Sequence, residues 1–127
     1  MKKLLSALAV LSLLVGCSEN HGKGLMFNGG ELYYTTAVSL SEAERLGRFL
    51  VSEEYFSGNR KTVQLTKTGS TYEVRMVIKK GLEQDQEFLD LARQFATEIS
   101  LGVFGGETVD IHLCDDALNT LRVVVVF

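Results

Sequence analysis

Residues 71–80 have the sequence TYEVRMVIKK, and their side-chain pattern indicates the kind of sheet that the chain forms. Apolar and polar side chains alternate along it, the pattern of a β-strand with one face buried and the other in water. The apolar face consists of Tyr72, Val74, Met76 and Ile78, and the polar face includes Glu73, Arg75 and Lys79. We therefore expect a sheet that is covered on one side and open to solvent on the other.

Strand and helix patterns alternate on both sides of this stretch. Further strands are predicted at 31–38, 62–67, 108–114 and 120–127, and helices at 39–54 and 85–104. Ser41, with Glu44 three residues later, predicts a capping box at the start of the first helix. The apolar stripe predicted for the second helix consists of Phe88, Leu91, Ala92, Phe95 and Ile99.

The resulting order, βαββαββ, predicts an α+β fold. Its first six elements match the split βαβ, or ferredoxin-like, pattern βαββαβ, in which two helices cover one face of a mainly antiparallel sheet. The seventh is an extra C-terminal strand, residues 120–127, which contains four consecutive valines. Because such a run suits burial on both faces, we expect this strand to be central or covered within the domain. At an edge, it would instead need a protein partner or a second copy of the chain to cover it.

The N-terminal residues have the features of an export signal. Lys2 and Lys3 provide a basic start. The uncharged run from Leu4 to Val15 has twelve residues. As a helix it would cover about 18 Å, against about 30 Å for the hydrocarbon core of a bilayer. The run is too short to span a membrane, so residues 1–16 are predicted to be a signal peptide.

Residues Leu14-Val15-Gly16-Cys17 resemble the lipobox of bacterial lipoproteins. The resemblance implies cleavage between Gly16 and Cys17 and the attachment of acyl chains such as palmitate to Cys17, where several chains give a stable anchor. It also implies a location in the cell envelope. In an organism with two membranes, Ser18 resembles the class sorted to the periplasmic face of the outer membrane.

Two regions are predicted after the signal peptide. Residues 17–30 are polar and rich in glycine, and they are predicted to be the acylated cysteine followed by a flexible tether of at most about 45 Å. Residues 31–127 are predicted to form a single α+β domain, since their number suffices for one core.

Charge and motifs exclude several classes of protein. Loss of Lys2 and Lys3 with the signal leaves 11 Lys and Arg residues against 16 Asp and Glu residues, a formal charge of −5. No basic tract with interleaved aromatic residues occurs, so nucleic acid is not an expected partner. No GxGxxG or GxxxxGK[ST] motif follows a predicted strand, and no cofactor is predicted. The expected partner is the membrane, through the lipid anchor.

Asp110, His112 and Cys114 alternate along one predicted strand and therefore project from the same face. Histidine and cysteine ligate zinc or copper, with Asp110 as a third ligand or a supporting group, and Cys114 could also act as a thiol. However, Asp115 and Asp116 disfavour a thiolate, and no catalytic constellation is recognised. The predicted function is a non-enzymatic module that binds a protein or a small envelope ligand. The alternative is a metal- or thiol-dependent protein that uses Asp110, His112 and Cys114.

Overall fold

The sheet has its strands side by side in the order in which they occur along the chain. The computed structural model describes residues 21–126. The elements are β1 (Lys23–Phe27), β2 (Gly30–Tyr34), α1 (Leu40–Ser52), β3 (Lys61–Thr68), β4 (Thr71–Val77), a 3₁₀ turn (Leu82–Gln84), α2 (Gln86–Val103), β5 (Val109–Cys114) and β6 (Thr120–Val124). The pairs β1–β2, β3–β4 and β5–β6 are antiparallel, whereas β2–β3 and β4–β5 are parallel. A helix joins each parallel pair, because parallel neighbours need a crossover connection.

The α+β class and the two helices on one face of the sheet are confirmed. Helix α1 packs on β1 and β2, α2 packs on β5 and β6, and the two helices contact each other. One hydrophobic core lies between the helices and the sheet. The strand order differs from the split βαβ arrangement, in which another strand separates the two strands that a helix connects. Here these strands are direct neighbours.

Strand β1 lies in the segment that the sequence assigns to the tether, which corrects the predicted boundary at residue 30. Lys23–Phe27 pairs with Gly30–Tyr34 through a turn at Asn28 and Gly29, whose φ angles are 47° and 86°. Two consecutive residues with positive φ are what a type I′ hairpin turn requires, and Asn-Gly is the dipeptide that favours it. This dipeptide was the signal in the sequence that predicts the hairpin.

The N-cap of helix α1 is Ser39, two residues before the predicted N-cap Ser41. The Ser39 side chain accepts a hydrogen bond from the backbone N–H of Glu42, and the Glu42 carboxylate accepts one from the Ser39 N–H at 2.7 Å. The predicted pair, Ser41 and Glu44, has the same spacing but lies inside the helix. The buried face of α1 consists of Ala43, Leu46, Gly47 and Leu50.

Helix α2 presents a different face to the sheet from the predicted one. Its buried side chains are Leu89, Ala92, Ala96, Ile99 and Val103. Phe88 and Phe95 are half-buried at the flank of the core, and Leu91 is 63% exposed. Ala92 and Ile99 are confirmed as core residues, whereas the prediction that Leu91 faces the sheet is wrong.

Candidate functional site

The face of the sheet away from the helices carries the candidate site, and we call it the open face. Every second residue of β4 and β5 points to this face. Asp110, His112 and Cys114 occupy it on β5, and the residues that pair with them on β4 are Glu73, Arg75 and Val77. Strands β4 and β5, which α2 connects, pair with each other, and this pairing places Glu73 and Arg75 beside the predicted site residues. No local signal in the sequence indicates that these two strands are neighbours.

Arg75 and His112 form the centre of the site. Arg75 Nη1 lies 3.1 Å from His112 Nδ1, and Arg75 Nη2 donates a hydrogen bond to the carbonyl oxygen of Leu118 at 2.7 Å. The Glu73 Oε1 atom lies 3.7 Å from His112 Nε2 and 3.8 Å from Arg75 Nη1. We call Glu73, Arg75 and His112 the polar cluster. Their side chains are between 14% and 21% exposed, so they are largely shielded from water.

The contacts of His112 determine where its ring carries the proton. A guanidinium group can only donate hydrogen bonds, so Nδ1 accepts from Arg75 and the proton of the neutral ring lies on Nε2, towards Glu73. The Thr120 Oγ1 atom lies 3.1 Å from the same Nδ1. Burial lowers the pKa of His112, the charge of Glu73 acts against this effect, and the charge of Arg75 adds to it. The neutral ring therefore has no free lone pair for a metal ion or for proton abstraction.

Cys114 is completely buried at the end of β5. Its sulfhydryl group lies 3.5 Å from the carbonyl oxygen of His112. Burial raises the pKa of the Cys114 thiol, so the group stays protonated. The loop that follows is held by Asp115, whose side chain accepts hydrogen bonds from the backbone N–H groups of Ala117 and Asn119. A buried, protonated thiol is unsuited to nucleophilic or redox chemistry.

The part of the chain that the structure describes contains no group of three His, Cys, Asp or Glu side chains that could hold a metal ion. Asp110, His112 and Cys114 share the open face, but alternate residues of a strand lie about 6.5–7 Å apart. A tetrahedral zinc site needs its donor atoms within about 2.0–2.3 Å of the metal. Among the described residues, the three predicted residues share one face of the sheet without forming such a group.

Strand β6 lies at the edge of the described sheet beside the polar cluster, so the predicted central placement of the last strand is wrong. Val124 points to the core and is 3% exposed. Val123 pairs with His112 on the open face and is 44% exposed, while Leu121 and Val125 are 39% and 44% exposed. We call Leu121 and Val123 of β6, together with Val125 directly after the strand, the apolar strip. The described residues leave these side chains exposed, and an edge strand with this composition readily pairs with another strand.

The described chain enters the domain over the open face. Gln64 Nε2 donates a hydrogen bond to the carbonyl oxygen of His21 at 2.9 Å, and the His21 ring lies 5.4 Å from the ring of Tyr33. Gln64 and Tyr33 pair with each other in β3 and β2. The predicted cleavage and lipidation residues, Gly16 and Cys17, lie outside the described residues.

These features define a small α+β domain with one face covered by helices and an open face that carries a polar cluster beside an apolar edge strand. Residues 24–125 match the model of a protein family that is described as a family N-terminal domain, and the chain belongs to this family. The family is uncharacterised. No curated protein and no solved structure matches the chain. Among residues 21–126, none of the helices has the length and apolar character needed to cross a membrane.

Proposed function

We propose that the protein is a bacterial lipoprotein of the cell envelope whose domain binds another protein and catalyses no reaction. The support for the anchor is the basic start, the short apolar run and the lipobox-like residues 14–17. Acylation of Cys17 would attach the domain to the membrane surface. In an organism with two membranes, Ser18 favours the periplasmic face of the outer membrane.

In this proposal the anchor and the open face are close together. Cys17 precedes His21 by four residues, a stretch of chain that spans at most about 14 Å. His21 contacts Gln64 and lies against Tyr33 on the open face. A partner of the open face would therefore be bound close to the bilayer.

The apolar strip on β6 is the observation that carries the binding proposal. An edge strand has backbone N–H and C=O groups available to an added strand, and exposed side chains at every second residue supply contacts that select it. Val123 pairs with His112, so the apolar strip borders the polar cluster. The charges of Glu73 and Arg75 would favour a partner of complementary charge and disfavour others.

The alternative, a metal- or thiol-dependent protein built on Asp110, His112 and Cys114, has less support. Arg75 occupies the Nδ1 atom of His112, and the Cys114 thiol is buried. The geometry of the described residues therefore favours a surface that binds over a site that reacts.

Photo-crosslinking in native membranes tests both parts of the proposal. A benzophenone amino acid at position 123 should give a protein adduct that stays in the membrane fraction and incorporates a labelled palmitate analogue. The matched control is position 26, since Met26 is 67% exposed on β1, the opposite edge of the sheet. It should give no adduct. Cys17→Ser should abolish the label, whereas Cys114→Ser should retain it.

Different results would contradict the proposed binding of a partner and the proposed lipid anchor. No adduct at position 123, or equal adducts at positions 123 and 26, would contradict the binding of a partner by β6. Label that persists in the Cys17→Ser chain would contradict the lipid anchor, whatever the crosslinking result.

A further inference from the structure

Helix α2 carries a second row of apolar side chains that does not face the sheet. Phe88, Leu91 and Phe95 line a groove of about 380 Å³ between α2 and the residues that follow α1. The floor of this groove is formed by the buried side chains of Met76 and Leu113. We call it the α2 groove. Its volume lies in the range of small-molecule sites, about 300–1,000 Å³.

Tyr55 closes one wall of the α2 groove. Its ring lies 6.1 Å from that of Phe95, and the Lys61 Nζ atom lies 4.1 Å from the Tyr55 ring centroid. Burial raises the pKa of Tyr55 to about 12. Among the described residues the Tyr55 hydroxyl has no hydrogen-bond partner, so a polar group that could bind a ligand is left unused beside an apolar surface.

The rim of the α2 groove is negatively charged. Glu53, Glu54 and Glu98 line it, and they outnumber the single positive group there, Lys61. Lys61 is already engaged with the ring of Tyr55. Because Glu53 is the C-cap residue of α1, the partial negative charge of the helix C-terminus adds to the three carboxylates. The rim therefore favours a positively charged ligand and disfavours an anion of the same shape.

We propose that the α2 groove binds a small amphiphilic organic cation, with its alkyl or aryl body on Phe88, Leu91 and Phe95 and its ammonium group at the glutamate rim. The exposed position of Leu91 is then explained, because the ligand would cover it. Aromatic rings beside carboxylates are a favourable environment for such a group, since both attract positive charge. The site is independent of the edge strand β6 and of the lipid anchor.

The test uses 4-phenylbutylamine and, as its matched anion, 4-phenylbutyrate, titrated into the full chain with ¹³C-labelled methionine methyl groups. Met76 in the floor of the groove should show a saturable shift with the amine, and Met26, on a distant edge strand, should not. The amine should bind at least about tenfold more tightly than the acid. An unmoved Met76, or equal affinities for the amine and the acid, would overturn the proposal.

Variants of exposed leucines locate the site. Leu91→Gln should weaken amine binding about tenfold or more, because Leu91 lines the groove. Leu101→Gln is the matched control, since Leu101 is 71% exposed on the same helix and does not line the groove. Equal effects of the two variants would also overturn the proposal. Glu98→Gln should reduce the preference for the amine over the acid without abolishing binding of either.

Discussion

His112 shows how a single side chain can be held in one state by its neighbours. Arg75 donates to Nδ1, Glu73 lies on the side of Nε2, and both are themselves shielded from water. A buried polar group costs free energy unless its hydrogen bonds are made. The polar cluster therefore stabilises one arrangement of β4 against β5 when His112 is neutral, and protonation of the ring would place two positive groups in contact.

This arrangement makes the stability of the fold depend on pH. The folded-state pKa of His112 lies below its ordinary value of 6.5, so between the two values the unfolded chain binds more protons. The free energy of unfolding should thus decrease as the pH falls from about 7 through this interval. His112→Gln should remove this part of the pH dependence, as measured by urea unfolding at several pH values. His21→Gln is the control, because it removes the other histidine and leaves the contact with Arg75 intact. If the free energy of unfolding of His112→Gln depended on pH as it does in the unchanged chain, the burial of His112 would not be a cause of that dependence.

At the scale of elements, α1 approaches β1 closely because a glycine lies at the contact. A Cβ atom on Gly47 would come within 2.2 Å of the Phe27 ring. Gly47→Ala should therefore destabilise the fold by about 1–3 kcal/mol through overpacking, although alanine is the better helix former. Gly102→Ala is the control, since its nearest neighbour atom, on Phe49, is at an ordinary 3.4 Å. This second substitution should be neutral or stabilise by up to about 1 kcal/mol in urea unfolding. Equal effects of the two would mean that α1 and β1 are not in close contact.

Helix α2 shows how far periodicity predicts packing. The apolar pattern predicts a helix over 85–104, and the structure has Gln86–Val103. The pattern also contains two overlapping apolar stripes, and large side chains such as Phe88 and Phe95 favour the wrong one. Small side chains at Ala92 and Ala96 allow the helix to lie close to the sheet, which moves the large rings to the flank. The distance between a helix and a sheet is a tertiary quantity that local periodicity does not contain.

Only the part of the candidate site that depends on a single strand could be predicted from the sequence. Alternation along a strand places Asp110, His112 and Cys114 on one face, since this is a property of a single strand. Their neighbours Glu73 and Arg75 come from β4, which is separated from β5 by the whole of α2. Register across a crossover depends on how both strands pack under the helix. The polar cluster could therefore be found only in the folded structure.

In the molecule as a whole, the order in which the strands pair explains the position of β6. The described part of the chain contains two strand-helix-strand units, β2-α1-β3 and β4-α2-β5, joined by the hairpin between β3 and β4. Each unit carries one further strand, β1 on one side and β6 on the other, paired as an antiparallel neighbour. Because each new strand is added beside the previous one, the last strand has to lie at an edge. The valine run indicated burial on both faces, but the order of pairing outweighs local composition.

A second copy of the chain is one candidate for the partner that covers the edge at β6. Deletion of residues 124–127 should leave a folded domain, because β6 pairs with β5 alone among the described strands. Unfolding should become easier by at least about 1.5–3 kcal/mol, the contribution of one buried valine, since Val124 is in the core. Val124→Ala is the control that loses part of this burial but keeps the edge.

Circular dichroism melting measures stability, and size-exclusion chromatography measures association. An intact chain and a Val124→Ala chain that elute as larger species, beside a monomeric deletion variant, would identify a second copy of the chain as the partner of this edge at residues 124–127. Loss of all native structure on deletion would contradict the edge placement, since it would make β6 an essential part of the core.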